Sequence, residues 1–252
     1  SDYLKSLAQT MSACFNRVGG NVQSMHEASF DAWIKEYRPN ENSINAQISY
    51  YLKGAVLGAL LDLDLLNNSN GQKGLDLLMQ GLYKTFYLDQ NKGYSDQAFY
   101  KAIDDLVGKP LQFDQWATSP NTEAFKTKLI QAFEQAGMAL EWNNSSQKHF
   151  HGIITEWKNE KLMVKAIDAQ SINYQNNLQA GDEIIAVEDL RVKNNFEDLI
   201  RLQKENSKVN LLISRAGLIQ HTSIELQASP KLDCHISIKD QTNATYKAWL
   251  NK

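Results

Sequence analysis

Cysteine is scarce in this chain of 252 residues: Cys14 and Cys234 are the only two, and they lie far apart. That excludes a disulfide framework and any cysteine-based zinc finger, and two isolated thiols fit a reducing, cytoplasmic compartment. Basic excess is missing as well. Lysine and arginine number 26 against 29 acids, a net charge of −3, so nothing is left over to neutralise phosphates and no nucleic-acid partner is expected. There is no long apolar run either. The most apolar stretch, Ala55 to Leu66, contains Asp62 and Asp64 and follows Lys53. It is too short and too charged to cross a bilayer and reads as a buried helix, so no membrane partner is expected. The opening Ser1-Asp2-Tyr3-Leu4 has no basic-then-apolar signal segment and already looks helical, as though the chain starts inside a domain.

What is present is an ordinary globular balance, 42% hydrophobic and 22% charged, which excludes wholesale disorder. The length suits one large domain or two modest ones. Residues 1–140 read as successive helices. Tyr3, Leu4, Leu7, Met11 and Cys14 recur at helical spacing up to Gly19-Gly20, and Ser29 is a candidate N-cap for a helix through Phe30, Trp33, Ile34 and Tyr37. Ile44, Ile48, Tyr51, Leu52 and Ala55 to Leu66 make the longest apolar helix. Leu75 to Tyr83, Ser95 to Leu106, and Phe125 to Phe133 supply three more amphipathic stripes.

From about Leu140 the pattern changes to short β-type runs: 152–155, 162–167, 183–187, 209–213 and 223–226. One helix, roughly Asn195 to Lys204, interrupts them. The expected architecture is α+β: a helical bundle over 1–140, then a compact, partly open barrel with a tail over 141–252. The polar stretch Trp142 to Gln147 is the candidate seam.

The second half resembles a PDZ domain on three features. Phe150-His151-Gly152-Ile153 has the apolar-x-Gly-apolar form of a carboxylate-binding loop. Leu178-Gln179-Ala180-Gly181-Asp182-Glu183-Ile184-Ile185 resembles the Gly-Asp core of that family, and Phe196 to Gln203 falls where its groove helix belongs. The resemblance implies a peptide or protein C-terminus as partner. Its carboxylate would sit on backbone N–H groups of Phe150, His151, Gly152 and Ile153, and its strand would run along Ile153 and Ile154 against Phe196, Leu199, Ile200 and Gln203. The alternative, that this edge is closed by the chain itself or unused, stays open.

The first half is similar to the glycyl aminopeptidase family. Ser49-Tyr50-Tyr51-Leu52-Lys53-Gly54, continuing to Leu61-Asp62-Leu63, carries the likeness, with Glu27 to Trp33, Tyr37 to Asn42, Gly74 to Met79 and Gly93-Tyr94-Ser95 in support. The resemblance implies a zinc metallopeptidase with a thermolysin-like core and a C-terminal PDZ domain, acting on peptides with a small N-terminal residue, glycine or alanine. It also assigns Tyr51 as a hydrogen-bond donor to the tetrahedral intermediate, a job suited to a neutral phenol aimed at charge that develops only in the transition state. Tyr50, about 100° away on a helix, is expected in the core.

The His-Glu-x-x-His pair that such chemistry needs is absent. The five histidines, His26, His149, His151, His221 and His235, do not offer it, and His26-Glu27 is followed by Ala28-Ser29-Phe30. The family's architecture puts the zinc ligands upstream of residue 1. The expectation is therefore a C-terminal portion of the enzyme, inactive alone, holding no metal of its own and partnered by the absent catalytic lobe. Asp62 and Asp64 read as a solvated or capping pair, and His149 and His151, on alternate sides of an extended segment, do not converge. Asn-x-Ser/Thr matches at Asn67, Asn143, Asn144 and Asn243 carry no information in an Asn-rich chain. The competing reading is a non-catalytic PDZ adaptor. A PDZ-bearing serine protease is excluded by the helical first half and the lack of Gly-x-Ser-Gly.

Overall fold

A computed structural model describes residues 2–250. Helix α1 (Asp2–Asn16) buries Leu4, Leu7, Met11 and Cys14 on one face, the stripe read from the sequence. The next helix does not start at Ser29. Ser24 caps α2 (Met25–Phe30) through a reciprocal box: its Oγ accepts from Glu27 N at 3.1 Å, and its own N–H donates to Glu27 Oε2 at 2.8 Å. The Ser-x-x-Glu spacing outcompetes Ser29 because it satisfies two orphan N–H groups at once. Residues 31–37 then follow as turns, leaving Phe30, Trp33 and Ile34 on the surface.

The long apolar helix is also broken where the sequence suggested continuity. Ser43–Ala46 is a single turn (α3), Gln47 and Ser49 are extended, and α4 (Tyr50–Asn67) begins only afterwards. Helix α4 is apolar almost all round, which suits a helix surrounded by others; Val56, Leu60, Leu63, Leu65 and Leu66 lie at its buried centre. Around it stand α5 (Leu75–Leu82), which runs on as a π-turn over Tyr83–Leu88, then α6 (Asp96–Val107), α7 (Phe113–Thr118) and α8 (Glu123–Gln135). Ser95 caps α6 as its sequence suggested, accepting from Ala98 N at 3.2 Å.

This helical unit takes in more chain than the first 140 residues. Strand β1 (Met138–Asn144) pairs antiparallel with β8 (Leu232–Ile238), from Met138 opposite Ile238 to Asn144 opposite Leu232. The ribbon's inner residues, Met138, Leu140 and Cys234, and Trp249 of the last helix α10 (Ala244–Leu250), join the same apolar core as α1, α4 and α8. Asn16 closes the join, its amide donating to and accepting from the backbone of Leu232, both at 2.8 Å.

Between the ribbon strands the chain builds one antiparallel sheet: β2 (Ile153–Lys158), β3 (Lys161–Ile167), β4 (Glu183–Val187), β6 (Lys208–Arg215) and β7 (Leu218–Glu225), in that spatial order, with β5 (Leu190–Arg191) beside β4. Helix α9 (Phe196–Arg201) covers it. Three of its hairpins turn on residue pairs with positive φ at both positions, Asn159-Glu160, Glu188-Asp189 and Ala216-Gly217, the type I′ geometry that matches strand twist. The fold class is α+β as expected. No closed barrel forms: among the described residues β2 and β7 are the two ends of the sheet, and a bridge between Phe150 and Gln227 joins the segments before β2 and after β7. The Gly181-Asp182 signature has a structural use, since buried Asp182 forms a two-point ion pair with Arg215 at 2.7 and 2.8 Å that ties β4 to the end of β6. Helical unit and sheet touch through buried Asn45, which donates to Ile167 O and accepts from Ala169 N, each at 2.8 Å.

Candidate active site at the first turn of the central helix

The break before α4 decides where its tyrosines stand. Gly19 sits so close to Gln47 that a Cβ there would lie 2.1 Å from its carbonyl oxygen. Arg17 Nε donates to the same carbonyl at 3.2 Å, and Gln23 Oε1 accepts from Ile48 N at 3.0 Å. These contacts pin residues 47–48, so α4 starts at Tyr50 and both phenols emerge from its first turn.

Tyr51, the predicted catalytic donor, is 65% exposed. Its ring stacks on that of Tyr50 at 4.2 Å with a 31° tilt, and both hydroxyls meet that of Tyr37, 3.0 Å from Tyr50 and 3.3 Å from Tyr51. Tyr50 is therefore not simply a core residue. Its ring packs against the apolar core, but its oxygen joins the surface cluster. Trp33 packs behind Tyr37 at 5.0 Å, and because Trp33, Tyr37 and Tyr51 are all exposed they make an open aromatic face. The hydroxyl contact with Tyr37 holds the Tyr51 phenol below its ordinary range, while its contact with Tyr37 pushes Tyr50 up.

Lys53 of the same motif turns the other way. It is fully buried, its Nζ donating to Ser119 O at 2.6 Å and standing 5.8 Å over the Phe125 ring. Burial pushes this ammonium down to about 8, with the fields of Cys14 and Glu27 opposing it. The folded value lies below the unfolded one of about 10.4, so the unfolded chain holds more protons between the two. Stability should therefore rise as pH goes from 8 to 10, by about 2 kcal/mol from this group alone. Denaturation of Lys53→Met against wild type across that range tests this; equal slopes for the two proteins would exclude it.

The acids of α4 are structural. Asp62 accepts from Leu75 N at 2.7 Å, at the start of α5, and buried Asp64 pairs with Lys128 at 2.7 Å. Among the described residues no three His, Cys, Asp or Glu side chains come together as a metal site. His26 faces Asp96 at 3.7 Å, and His221 and His235 lie on β7 and β8.

The predicted peptide site lies on the sheet. Gly152 has φ +70° and its carbonyl accepts from Asp168 N at 2.7 Å. The nest is partly capped from within. Phe150 N donates to Gln227 O at 2.9 Å, and Ile153 N donates to the Nδ1 of His151 at 3.1 Å. That bond leaves the proton of neutral His151 on Nε2, which faces Glu197 at 3.4 Å, and the ring lies edge-on to Phe196 at 5.4 Å. The same contact holds the Glu197 carboxyl below its usual range. His149 meets the turn after α9 instead, 3.0 Å from Gln203 O. Ile154 is exposed and Gln203 half-exposed, whereas Phe150, Ile153, Phe196, Leu199 and Ile200 are buried. Among the described residues no strand lies beside the outer edge of β2. Nothing in the local pattern of residues 31–37 pointed to Tyr37 as a partner of Tyr51; its separation in sequence hid it.

Residues 1–57 match the family model described as M61 glycyl aminopeptidase. The crystal structure of the aminopeptidase N family protein from Idiomarina loihiensis superposes on 98% of the chain with a TM-score of 0.81 at 23% identity. That match shows a shared fold, and the chain spans 44% of the length of that protein. An HtrA-type protease with a decapeptide (TM-score 0.30, 11% identity, 45% of this chain and 36% of that one) overlaps too loosely to carry an argument. The photosystem II D1 C-terminal processing protease (0.29, 14%, 70% and 44%) is no closer. No curated protein matches the sequence.

Proposed function

We propose that this chain is the C-terminal portion of a zinc-dependent aminopeptidase of the glycyl aminopeptidase type, acting on peptides with a small N-terminal residue. The helical unit walls the substrate cleft, and Tyr51 donates a hydrogen bond to the oxyanion of the tetrahedral intermediate. One observation carries this reading: an exposed phenol at a pinned helix start, on an open aromatic face, inside the segment that matches the family model. The metal ligands would lie in the absent catalytic lobe, the partner for that face, so residues 1–252 alone should hydrolyse nothing. The sheet would act as a PDZ module that docks peptide or steadies the fold.

The test is to express the whole reading frame, measure bound zinc, and assay glycyl and alanyl peptides. Zinc at one equivalent with hydrolysis that a chelator abolishes is expected. A longer polypeptide that binds no metal, or one that leaves these peptides intact, rejects the proposal. The second reading, a peptide-binding adaptor, is favoured by the open edge of β2; it would be the survivor if the whole protein proved inert.

A further inference from the structure

Three phenols share hydrogen bonds in front of α4, and each has one proton. Tyr37 lies between the other two, 3.0 Å from Tyr50 and 3.3 Å from Tyr51. A chain of three hydroxyls can run in either direction. If Tyr51 donates inward to Tyr37, its proton is occupied and nothing is left to offer a substrate. If Tyr50 donates to Tyr37 and Tyr37 to Tyr51, the outer phenol accepts a hydrogen bond and its own proton faces the solvent. Hydrogen bonds in series polarise one another, so an accepting phenol is also the stronger donor.

Geometry favours the second direction. Tyr50 is the half-buried end, with its ring packed on the core, and Tyr51 is the exposed end. Tyr37 is held between them by Trp33 behind its ring and by its own backbone N–H, which donates to Ala32 O at 3.1 Å. We infer that Tyr37 is a positioning residue, taking the proton of Tyr50 into a hydrogen bond and giving its own to Tyr51, so that the Tyr51 proton is turned outward toward the reacting carbonyl oxygen. The opposite perturbation of the two end phenols agrees with this direction, and the charge of Glu36, which bears on Tyr51, works against it without reversing it. The last hydrogen bond, to substrate, rests on the proposed peptidase reading; the relay itself belongs to this chain.

Titration of the 252-residue chain labelled with ¹³C at tyrosine Cζ tests it, with the signals assigned by single Tyr→Phe variants. Wild-type Tyr51 should titrate below the ordinary value of about 10 and Tyr50 above it, and in Tyr37→Phe both should move toward about 10. That variant removes one exposed oxygen, so the fold has no reason to change, and a merely structural Tyr37 would leave the Tyr51 titration where it was. An unmoved Tyr51 overturns the relay. In the whole enzyme, Tyr37→Phe should lower kcat about five- to tenfold at unchanged KM, the size of one neutral hydrogen bond. If the titration responds and kcat does not, the relay stands and the catalytic role of Tyr51 falls.

Discussion

On the proposed peptidase reading, Tyr51→Phe in the full-length protein is expected to lower turnover by about a hundredfold or more while leaving metal content unchanged. A donor aimed at a developing oxyanion is worth about 2.7–4 kcal/mol, because it acts on charge absent from the ground state. The substitution keeps the ring, which stacks on Tyr50 at 4.2 Å, so the aromatic face and the start of α4 are preserved and only the hydroxyl is lost. KM should therefore change little. Steady-state kinetics with zinc analysis of the same preparation decides the matter. Near-wild-type turnover rejects the assignment, and a loss that tracks metal content reassigns the effect to folding.

Gly152→Ala should be the most damaging single-methyl change in the sheet. The residue has φ +70°, where a Cβ is strained, and that Cβ would stand 2.2 Å from Ser171 Cβ. Ser171 cannot easily retreat, because its Oγ donates to His151 O at 2.7 Å, beside a bond from fully buried Asn173 to the same oxygen. Asn173 also exchanges hydrogen bonds with Glu225, so the displacement reaches β7. Backbone strain and overpacking together predict a loss of about 3 kcal/mol or more. Gly181→Ala is the control: its φ is +92°, but a Cβ there meets nothing within 4 Å, so only the backbone part, about 1 kcal/mol, should be lost. Denaturant unfolding of the two variants reads the difference; equal losses would mean that Ser171 yields.

Much of this fold was legible because burial leaves a period in the sequence. The stripes of α1, α5, α6 and α8 stand where their apolar residues recur, and β2, β3, β4, β6 and β7 follow their β-branched runs. What escaped depended on competition or on distance. Ser24 and Ser29 are both capping residues, and only the Glu three places after Ser24 separates them. The break before α4 is imposed by Arg17, Gly19 and Gln23, which no local pattern around Gln47 reveals. The β1–β8 ribbon is an alternating pair whose partners are far apart in sequence, so a reading window sees two unrelated fragments. At the candidate site a motif singles out Tyr51, whereas its contact with Tyr37 exists only once the turns over 31–37 have folded back.

That ribbon also bears on how this molecule could have been assembled. Asn144 and Leu232 face each other as direct strand partners, so everything between them departs and re-enters at one point. The intervening sheet is, in topological terms, a cassette. Its excision would leave two ends already close enough for a tight hairpin turn, and the helical scaffold would lose the contacts of Asn45 and Gln170 but none of its apolar interior. Insertion or replacement of such a cassette disturbs the rest of a domain least, so the sheet could be exchanged while the tyrosine-bearing framework stays intact.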